Sequence, residues 1–491
     1  MRFWIERNLS FVRIEFGAAI LVGLVYGVVL VYSRRLPLDW AAIVILTILA
    51  PAVVVMVKDI GKLILILLVI DIPLGLDIAI ANQPGHTGGP AGYIVSLMTI
   101  ALIIGYIRWL IINPREKDFF FFNGIGIPAL FFLFTILVSV FQATEQWFSF
   151  TQLFLTLQFV LMYIYIINHV KSWLDIKLVV TTLAICLFLE SLLIILQYFG
   201  DIDLSILNFL PTSGGSVRLS GTFSGPNLAA TFLAASISII FAGYLTDNRL
   251  VDKKIALVSI VAGMLALVVT QSRAGWLVVS IAIGLISFHS LRKKVKIKTI
   301  LMVFIALLIL IIGFSSIIIV RLSSDDNNSA MSRIWYSQLA FNIIEDYMFT
   351  GVGANNQHYF VNNIDYIPAD MVGITRTEIH NTYLAIWVEL GIFGFLIFIW
   401  LLFAGCWYAY SAYRNANNKF TSITMLGFLG ALSVFVIHMT VATFTGRRLQ
   451  FLWLILGLIT AGWHLVNTNR EIGDGSSNSD LLEERQSNNA Y

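Results

Sequence analysis

RLSSDDNNSAMSRIWYSQLAFNIIEDYMFTGVGANNQHYFVNNIDYIPADMVGITRTEIHN (Arg321–Asn381) is a polar stretch in a chain that otherwise alternates long apolar runs with short turns. Apolar runs of roughly twenty residues cross bilayer hydrocarbon, and they flank this stretch on both sides. It contains Arg333 and Arg376 and ends in His380-Asn381, directly before the apolar run Thr382–Tyr410. One long loop that sets arginines and a histidine at a membrane edge reads as part of a site.

Composition points the same way. The chain has 491 residues, 58% hydrophobic and only 12% charged, with a mean hydropathy of +0.86. Soluble domains carry about 25% charge, so the sequence implies an all-α, polytopic membrane protein without room for a sizeable soluble domain. Candidate spans run from Phe16–Tyr32 to Leu449–Val466 and number about twelve to fourteen. Leu38–Val57 and Leu63–Ala81 are the least regular, because Pro51, Asp71 and Pro73 suit broken or re-entrant segments. Arg2, Arg7 and Arg13 precede the first run, and no convincing small-residue cleavage pattern follows it, so it reads as an uncleaved span. Cys186 and Cys406 both fall inside apolar runs and read as small core residues, not as a disulfide or metal pair. The net charge of +3 gives no basis for a nucleic-acid partner.

The distribution of charge sets the expected orientation. With a cytoplasmic N-terminus, 22 of the 31 Lys and Arg residues fall on the inner side, five of them between Arg292 and Lys298. The positive-inside rule favours that arrangement. It makes both termini cytoplasmic and turns the loop 321–381 outward. Residues 1–466 then form the transmembrane helical domain, and the polar tail 467–491 has the composition of a disordered cytoplasmic segment.

The nine basic residues left outside are all arginine: Arg34, Arg35, Arg218, Arg273, Arg321, Arg333, Arg376, Arg447 and Arg448. Lysine would serve as well for contact with the interface, whereas arginine offers a planar fork that matches phosphate oxygens. Binding of lipid headgroups or capping of helix carbonyls is the competing reading. Parity strengthens the first. The spans starting at Pro226, Arg273 and Thr382 all run inward, so their positive N-terminal ends face outward, where they favour anions. RLSGTFSGPN (Arg218–Asn227) reads as a tight turn into a helix, with Ser224 or Gly225 as cap and Pro226 at the first position. An anion at the outer leaflet, with pyrophosphate as a good candidate, fits three helix ends and several arginines on one face.

Four segments, taken in order, resemble the O-antigen ligase and O-antigen polymerase family of bacterial lipid-linked glycan transferases. They are RLSGTFSGPNLAA (Arg218–Ala230), SRAGW (Ser272–Trp276), SRIWYSQLAFNIIEDYMFTGVGANN (Ser332–Asn356) and HNTYLAIWVELGIFG (His380–Gly394). Residues 1–199 share only hydrophobicity with it. The resemblance implies a helical membrane fold of the C-type glycosyltransferase kind. It also implies transfer of a glycan from an undecaprenyl-diphosphate carrier to a sugar acceptor at the outer face of the bacterial cytoplasmic membrane. The implied partners are that donor, a glycan or glycolipid acceptor and membrane lipids. No cofactor, metal or nucleotide sugar is expected. Under it His380 is the candidate general base, since imidazole has a pKa of ~6.5. Arg218 and Arg273 are expected to hold the diphosphate, Arg333 the leaving group or the acceptor, and Asn227 and Asn381 to orient these side chains.

Other polar residues have plainer readings. His358 is a competing base without an Asn partner. Glu389 lies nine residues after His380, about half a helical rotation away, and is expected to face another helix, with Arg447 or Arg448 as partners. Asp71 and Glu190 are expected to pair between helices, and His438 to be a satisfied bundle residue. The Phe-rich runs 119–122 and 131–134 are expected to face lipid or pack. Gly351 and Gly353 mark a turn, since no phosphate-binding strand precedes them. A secondary transporter of a small anion such as bicarbonate is the alternative function, although no inverted repeat supports it. A non-catalytic assembly scaffold would leave the arginine-histidine pattern unexplained.

Overall fold

The computed structural model describes residues 59–112, 124–200, 219–246, 250–292, 297, 301, 329–371 and 378–468. Expected spans Phe16–Tyr32 and Leu38–Val57 and nearly all of Thr299–Val320 lie outside the described residues, as do Arg218, Arg321 and Arg376 and the tail beyond residue 468.

The described chain is helical except for one short hairpin. In order come α1 (Ile60–Leu74), β1 (Asp77–Ile80), β2 (Tyr93–Ser96), α2 (Leu97–Ile112), α3 (Gly126–Ser139), α4 (Gln146–His169) and α5 (Trp173–Gly200). Then follow α6 (Pro226–Tyr244), α7 (Lys253–Val269), α8 (Arg273–Arg292), α9 (Ser329–Tyr347), α10 (Gln357–Val361), α11 (Thr382–Asn415) and α12 (Lys419–His438), and α13 (Gln450–Thr468). Seven of these, α4, α5, α6, α8, α11, α12 and α13, are long and apolar enough to cross a membrane.

The hairpin corrects the expected span Leu63–Ala81. Pro73 sits in the last turn of α1, and Gly75 closes it in the left-handed region with its amide on the Asp71 carbonyl. The chain cannot continue as helix through that cap. It turns instead into β1, which pairs antiparallel with β2 from Asp77↔Ser96 to Ile80↔Tyr93. The helix expected from Gly92 therefore begins only at Leu97.

Helix α6 sits at the centre, packed against α5, α7, α8 and α12. Small residues permit this. A β-carbon on Gly275 would lie 2.6 Å from Ala230 Cβ, and one on Gly427 would lie 2.6 Å from Ala242 Cβ. Lipid supplies no hydrophobic drive between helices, so close backbone approach of this kind is what holds them. α13 is buried around Trp453 and hydrogen-bonds α4 through Tyr163 Oη and Thr460 Oγ1 at 3.2 Å. Phe131 and Phe134 point outward while Phe132 is buried, so that Phe-rich run serves both lipid contact and packing.

The loop has a core of its own. Tyr336, Leu339, Ala340 and Ile343 of α9 pack with Val352, Val361, Met371 and Ile379 onto Ala385 and Val388 of α11. The attachment depends on a break in α11 at Gly391, whose φ of 67° and ψ of −176° leave the helix. There the amides of Val352 and Gly353 donate to the carbonyls of Val388 and Glu389 at 2.8 and 3.0 Å. The amide of Ile392 donates in turn to the Met348 carbonyl at 2.8 Å. Loop backbone thus replaces the hydrogen bonds that the broken helix gives up. Unpaired, those groups would be costly at membrane depth.

Only glycine fits at this junction. A β-carbon on Gly391 would lie 2.2 Å from the Phe349 carbonyl oxygen, and one on Gly351 would lie 2.4 Å from that of Glu389. Gly391→Ala is therefore expected to lower stability by on the order of 1–3 kcal/mol, the range for a forced backbone conformation. Gly284→Ala, where an added β-carbon meets nothing within 4 Å, is the control and should leave the thermal midpoint in detergent unchanged or slightly raised. Equal melting of the two variants would contradict the assignment.

Candidate functional site

The turn Ser220–Gly225 aims the start of α6. Glu190 of α5 accepts from the Thr222 amide at 2.8 Å and from its hydroxyl at 3.0 Å, and Gln197 Oε1 accepts from the Gly221 amide at 3.0 Å. The Thr222 hydroxyl also bonds the Pro73 carbonyl at the end of α1. Gly221 has a φ of 62°, and a β-carbon there would strike the Glu190 carboxylate. Gly225 is the N-cap and Pro226 the first helical residue, as the motif suggests. The Glu190 carboxylate is thus the anchor of a turn.

The start of α8 is built beside it. Ser272 donates from Oγ to Asn227 Oδ1 at 2.9 Å and accepts from the Gly275 amide at 3.2 Å. Trp276 Nε1 reaches back to the Leu267 carbonyl at 2.9 Å. Four residues of the SRAGW motif thus differ in what they do. Ser272 caps, Gly275 lets α8 meet α6, Trp276 staples the turn, and Arg273 lines the cavity beside it. Asn227 ties the two helix starts together.

His380 lies in a bend of the short non-helical segment Glu378–Asn381 before α11. Asn381 caps that helix by accepting from the amides of Tyr383 and Leu384 at 3.0 and 3.2 Å. Its side-chain oxygen is committed there, so Asn381 positions the histidine segment through the backbone. The His380 ring packs edge-on against Tyr336 of α9, with centroids 4.7 Å apart. The preceding Glu378 pairs with Arg448, Nη1 to Oε1, at 3.0 Å, and Arg448 also donates to the Thr443 carbonyl at 3.0 Å.

These parts meet. A cavity of about 370 Å³ is lined by Gly225, Pro226 and Asn227 at the start of α6, Arg273 and Ala274 at the start of α8, and Arg333, Glu378, His380 and Arg448. Partial burial and the charge of Arg273 both act against the Arg333 guanidinium and lower its pKa. Two cations that repel across one cavity favour an anion bound between them. A second cavity of about 720 Å³ adjoins the first and shares Ser224, Leu228, Glu378 and Arg448 with it. Its walls are largely apolar, with Ile72, Phe223, Phe232 and Phe451 among them, and the hairpin residues 86–91 line one side.

Burial holds His380 below the ordinary imidazole pKa; Glu378 pulls it upward, and Arg333 and Arg448 push it down. The net direction leaves the ring neutral at pH 7, the state that takes up a proton.

The structure brings Arg273, Arg333, Asn227 and His380 to one place. Two further residues line that place: Arg448, expected among the outward arginines but not as a site residue, and Glu378, for which the Glu-Ile-His spacing before α11 was the signal available. Of the two partners expected for Glu389, Arg448 pairs with Glu378 instead, and the side chain of Arg447 lies outside the described residues. Glu389 accepts from Gln357 Nε2 at 2.9 Å. His358 is held by Thr87 at 2.7 Å and lies outside the arginine cavity. Asp71 accepts from Gln450 Nε2 at 2.9 Å, joining α1 to α13, and His438 Nδ1 pairs with Thr231 Oγ1 at 2.6 Å.

The electrostatics make a prediction that does not depend on activity. Read from the pH dependence of diethyl pyrocarbonate modification of the His380 peptide, its pKa should lie below the ordinary ~6.5. Glu378→Gln removes the upward pull and should lower it further, whereas Arg333→Gln removes a downward push and should raise it. The reverse order would contradict the arrangement described.

Comparison with known proteins adds an independent finding. Residues 255–399 match the family model described as O-Antigen ligase, a stretch from the first turn of α7 into α11 that carries Arg273, Arg333 and His380. No curated protein matches the chain. Residues 255–399 are therefore similar to the O-antigen ligase family, in a chain with seven helices, among the described residues, long and apolar enough to cross a membrane.

Proposed function

We propose that this protein transfers a glycan from an undecaprenyl-diphosphate carrier to a hydroxyl group of a sugar acceptor, at the outer face of the cytoplasmic membrane. The observation that carries this reading is the single cavity that combines two helix N-termini, Arg273, Arg333 and Arg448 with His380. The family match supports glycan transfer in general; the donor, the residue roles and the side of the membrane are our reading. The excess of Lys and Arg at the opposite helix ends supports an outward site.

In the proposed reaction the neutral His380 ring takes the proton of the acceptor hydroxyl. The hydroxyl oxygen forms a bond to the anomeric carbon as the bond from that carbon to the diphosphate oxygen breaks. Undecaprenyl diphosphate leaves with the electron pair of that bond. Negative charge grows on the leaving group, where Arg273, Arg333 and the positive helix ends stabilise it before solvent must respond. The adjoining apolar cavity offers room for the first part of the carrier lipid or for acceptor sugars.

Transfer in proteoliposomes tests this. The probe is a synthetic undecaprenyl-diphosphate oligosaccharide, offered as donor and acceptor and also with extracted envelope glycolipid. Release of undecaprenyl diphosphate should fall by roughly 10²–10⁴-fold in His380→Ala, the usual contribution of a general base. Arg273→Lys keeps the charge but loses the fork, and should weaken donor use. Near-normal transfer by His380→Ala would remove the base assignment, and unchanged donor kinetics in Arg273→Lys would remove the diphosphate clamp.

A further inference from the structure

The break in α11 places a buried carboxylate where it reaches the histidine segment through one side chain. Glu389 lies at the last turn before Gly391 and is 8% exposed. Its Oε1 accepts from Nε2 of Gln357, which is fully buried, at 2.9 Å. The Oε1 of the same Gln357 accepts from the backbone amide of Ile379 at 3.1 Å. Ile379 immediately precedes His380. From the other side, Thr443 Oγ1 donates to the Ile379 carbonyl at 2.6 Å. The peptide groups flanking Ile379 are therefore gripped from two directions, by the loop and by the turn after α12.

Gln357 is itself fixed. The two preceding residues are buried and hydrogen-bonded across the bundle. Asn355 Nδ2 donates to the Pro90 carbonyl at 2.8 Å, and its Oδ1 bonds His86 Nε2 at 2.8 Å. Asn356 Oδ1 accepts from the Glu145 amide at 2.8 Å, and its Nδ2 donates to Ser149 Oγ at 3.0 Å. The amides of Asn355 and Gln357 face the Glu389 carboxylate as well. An acid in a membrane span is costly and is retained when it is paired to a purpose.

We infer that Glu389 and Gln357 are positioning residues for His380, forming a relay from the break in α11 to the Ile379 amide that sets where the imidazole stands in the arginine cavity. The inference rests on His380 acting as the base. The relay touches neither the starts of α6 and α8 nor Arg273 and Arg333, so its loss acts on the chemical step more than on the diphosphate clamp. A misplacement of about 1 Å at a reacting group costs on the order of a hundredfold in rate.

The test is a side-chain exchange, read as kcat and donor KM for the synthetic undecaprenyl-diphosphate oligosaccharide in proteoliposomes. Gln357→Leu and Gln357→Glu should each lower kcat by roughly a hundredfold while donor KM stays near wild type. The first removes both hydrogen bonds, and the second sets two carboxylates against each other. In the double variant Gln357→Glu/Glu389→Gln, the amide of residue 389 donates to the new carboxylate, whose other oxygen accepts from Ile379. Most of kcat should return. Wild-type kcat in Gln357→Leu would overturn the relay. A double variant no better than Gln357→Glu, although monodisperse and still binding donor, would overturn it too and decides the matter if Gln357→Leu does not fold. Full transfer by His380→Ala would instead remove the reading on which the relay rests, and so separates the two failures.

Discussion

The exchange of hydrogen bonds at Gly391 is the constraint on which the site depends. A helix broken inside an apolar bundle leaves carbonyls and amides that lipid does not satisfy. Here Met348, Val352 and Gly353 satisfy them. That exchange seats the loop core of α9 and its neighbours on the first turns of α11. It also fixes the height of Gly351–Gln357 against α4 and the hairpin. Through Gln357 and Ile379 it reaches the segment that carries His380. A break that weakens a helix locally thus joins a polar loop to a membrane bundle in one register.

Three buried acids follow the same logic. Glu190 holds the turn that starts α6, Glu389 holds Gln357 in the loop, and Asp71 joins the last turn of α1 to the start of α13. Each restrains a chain reversal by hydrogen bonds. Their cost in a bilayer is offset by those bonds. The arginines stand on elements held by other contacts: Arg273 on α8, whose start Ser272 ties to Asn227, Arg333 on α9, which packs onto α11, and Arg448 on the turn before α13, where it bonds Glu378 and the Thr443 carbonyl. Positive charge is therefore preorganised before any ligand arrives, which is the condition under which such charge lowers a barrier.

Much of this was legible in the residues, and the limits have physical causes. The starts of α6, α8 and α11 at Pro226, Arg273 and Thr382 follow from local capping chemistry. Capping depends on a few adjacent residues, so sequence reports it well. The meeting of those ends follows from helix parity, which a span count preserves. Asp71 and Pro73 signalled a break in Leu63–Ala81, but the hairpin itself was missed, because a short apolar strand such as Tyr93–Ser96 has the same composition as the start of an apolar helix. The partner of Glu389 was missed for another reason. Helical periodicity placed it opposite His380, but Gly391 and the inserted loop bring Gln357, remote in sequence, to meet it. Glu378 and Arg448 joined the site through the same long-range closure. Asn381 had the right place and a different role, since a cap and a ligand-orienting amide look alike in sequence.

In the proposed function one cavity, bounded by the starts of α6 and α8, Arg333 and His380, takes the diphosphate of a lipid-linked glycan. Cryo-electron microscopy of the protein with a non-cleavable phosphonate analogue of an undecaprenyl-diphosphate sugar tests it most directly. Density for the two phosphorus groups is expected between Arg273 and Arg333, with the anomeric carbon on the side of His380. Density for the diphosphate away from both arginines, or a sugar turned away from His380, would contradict it.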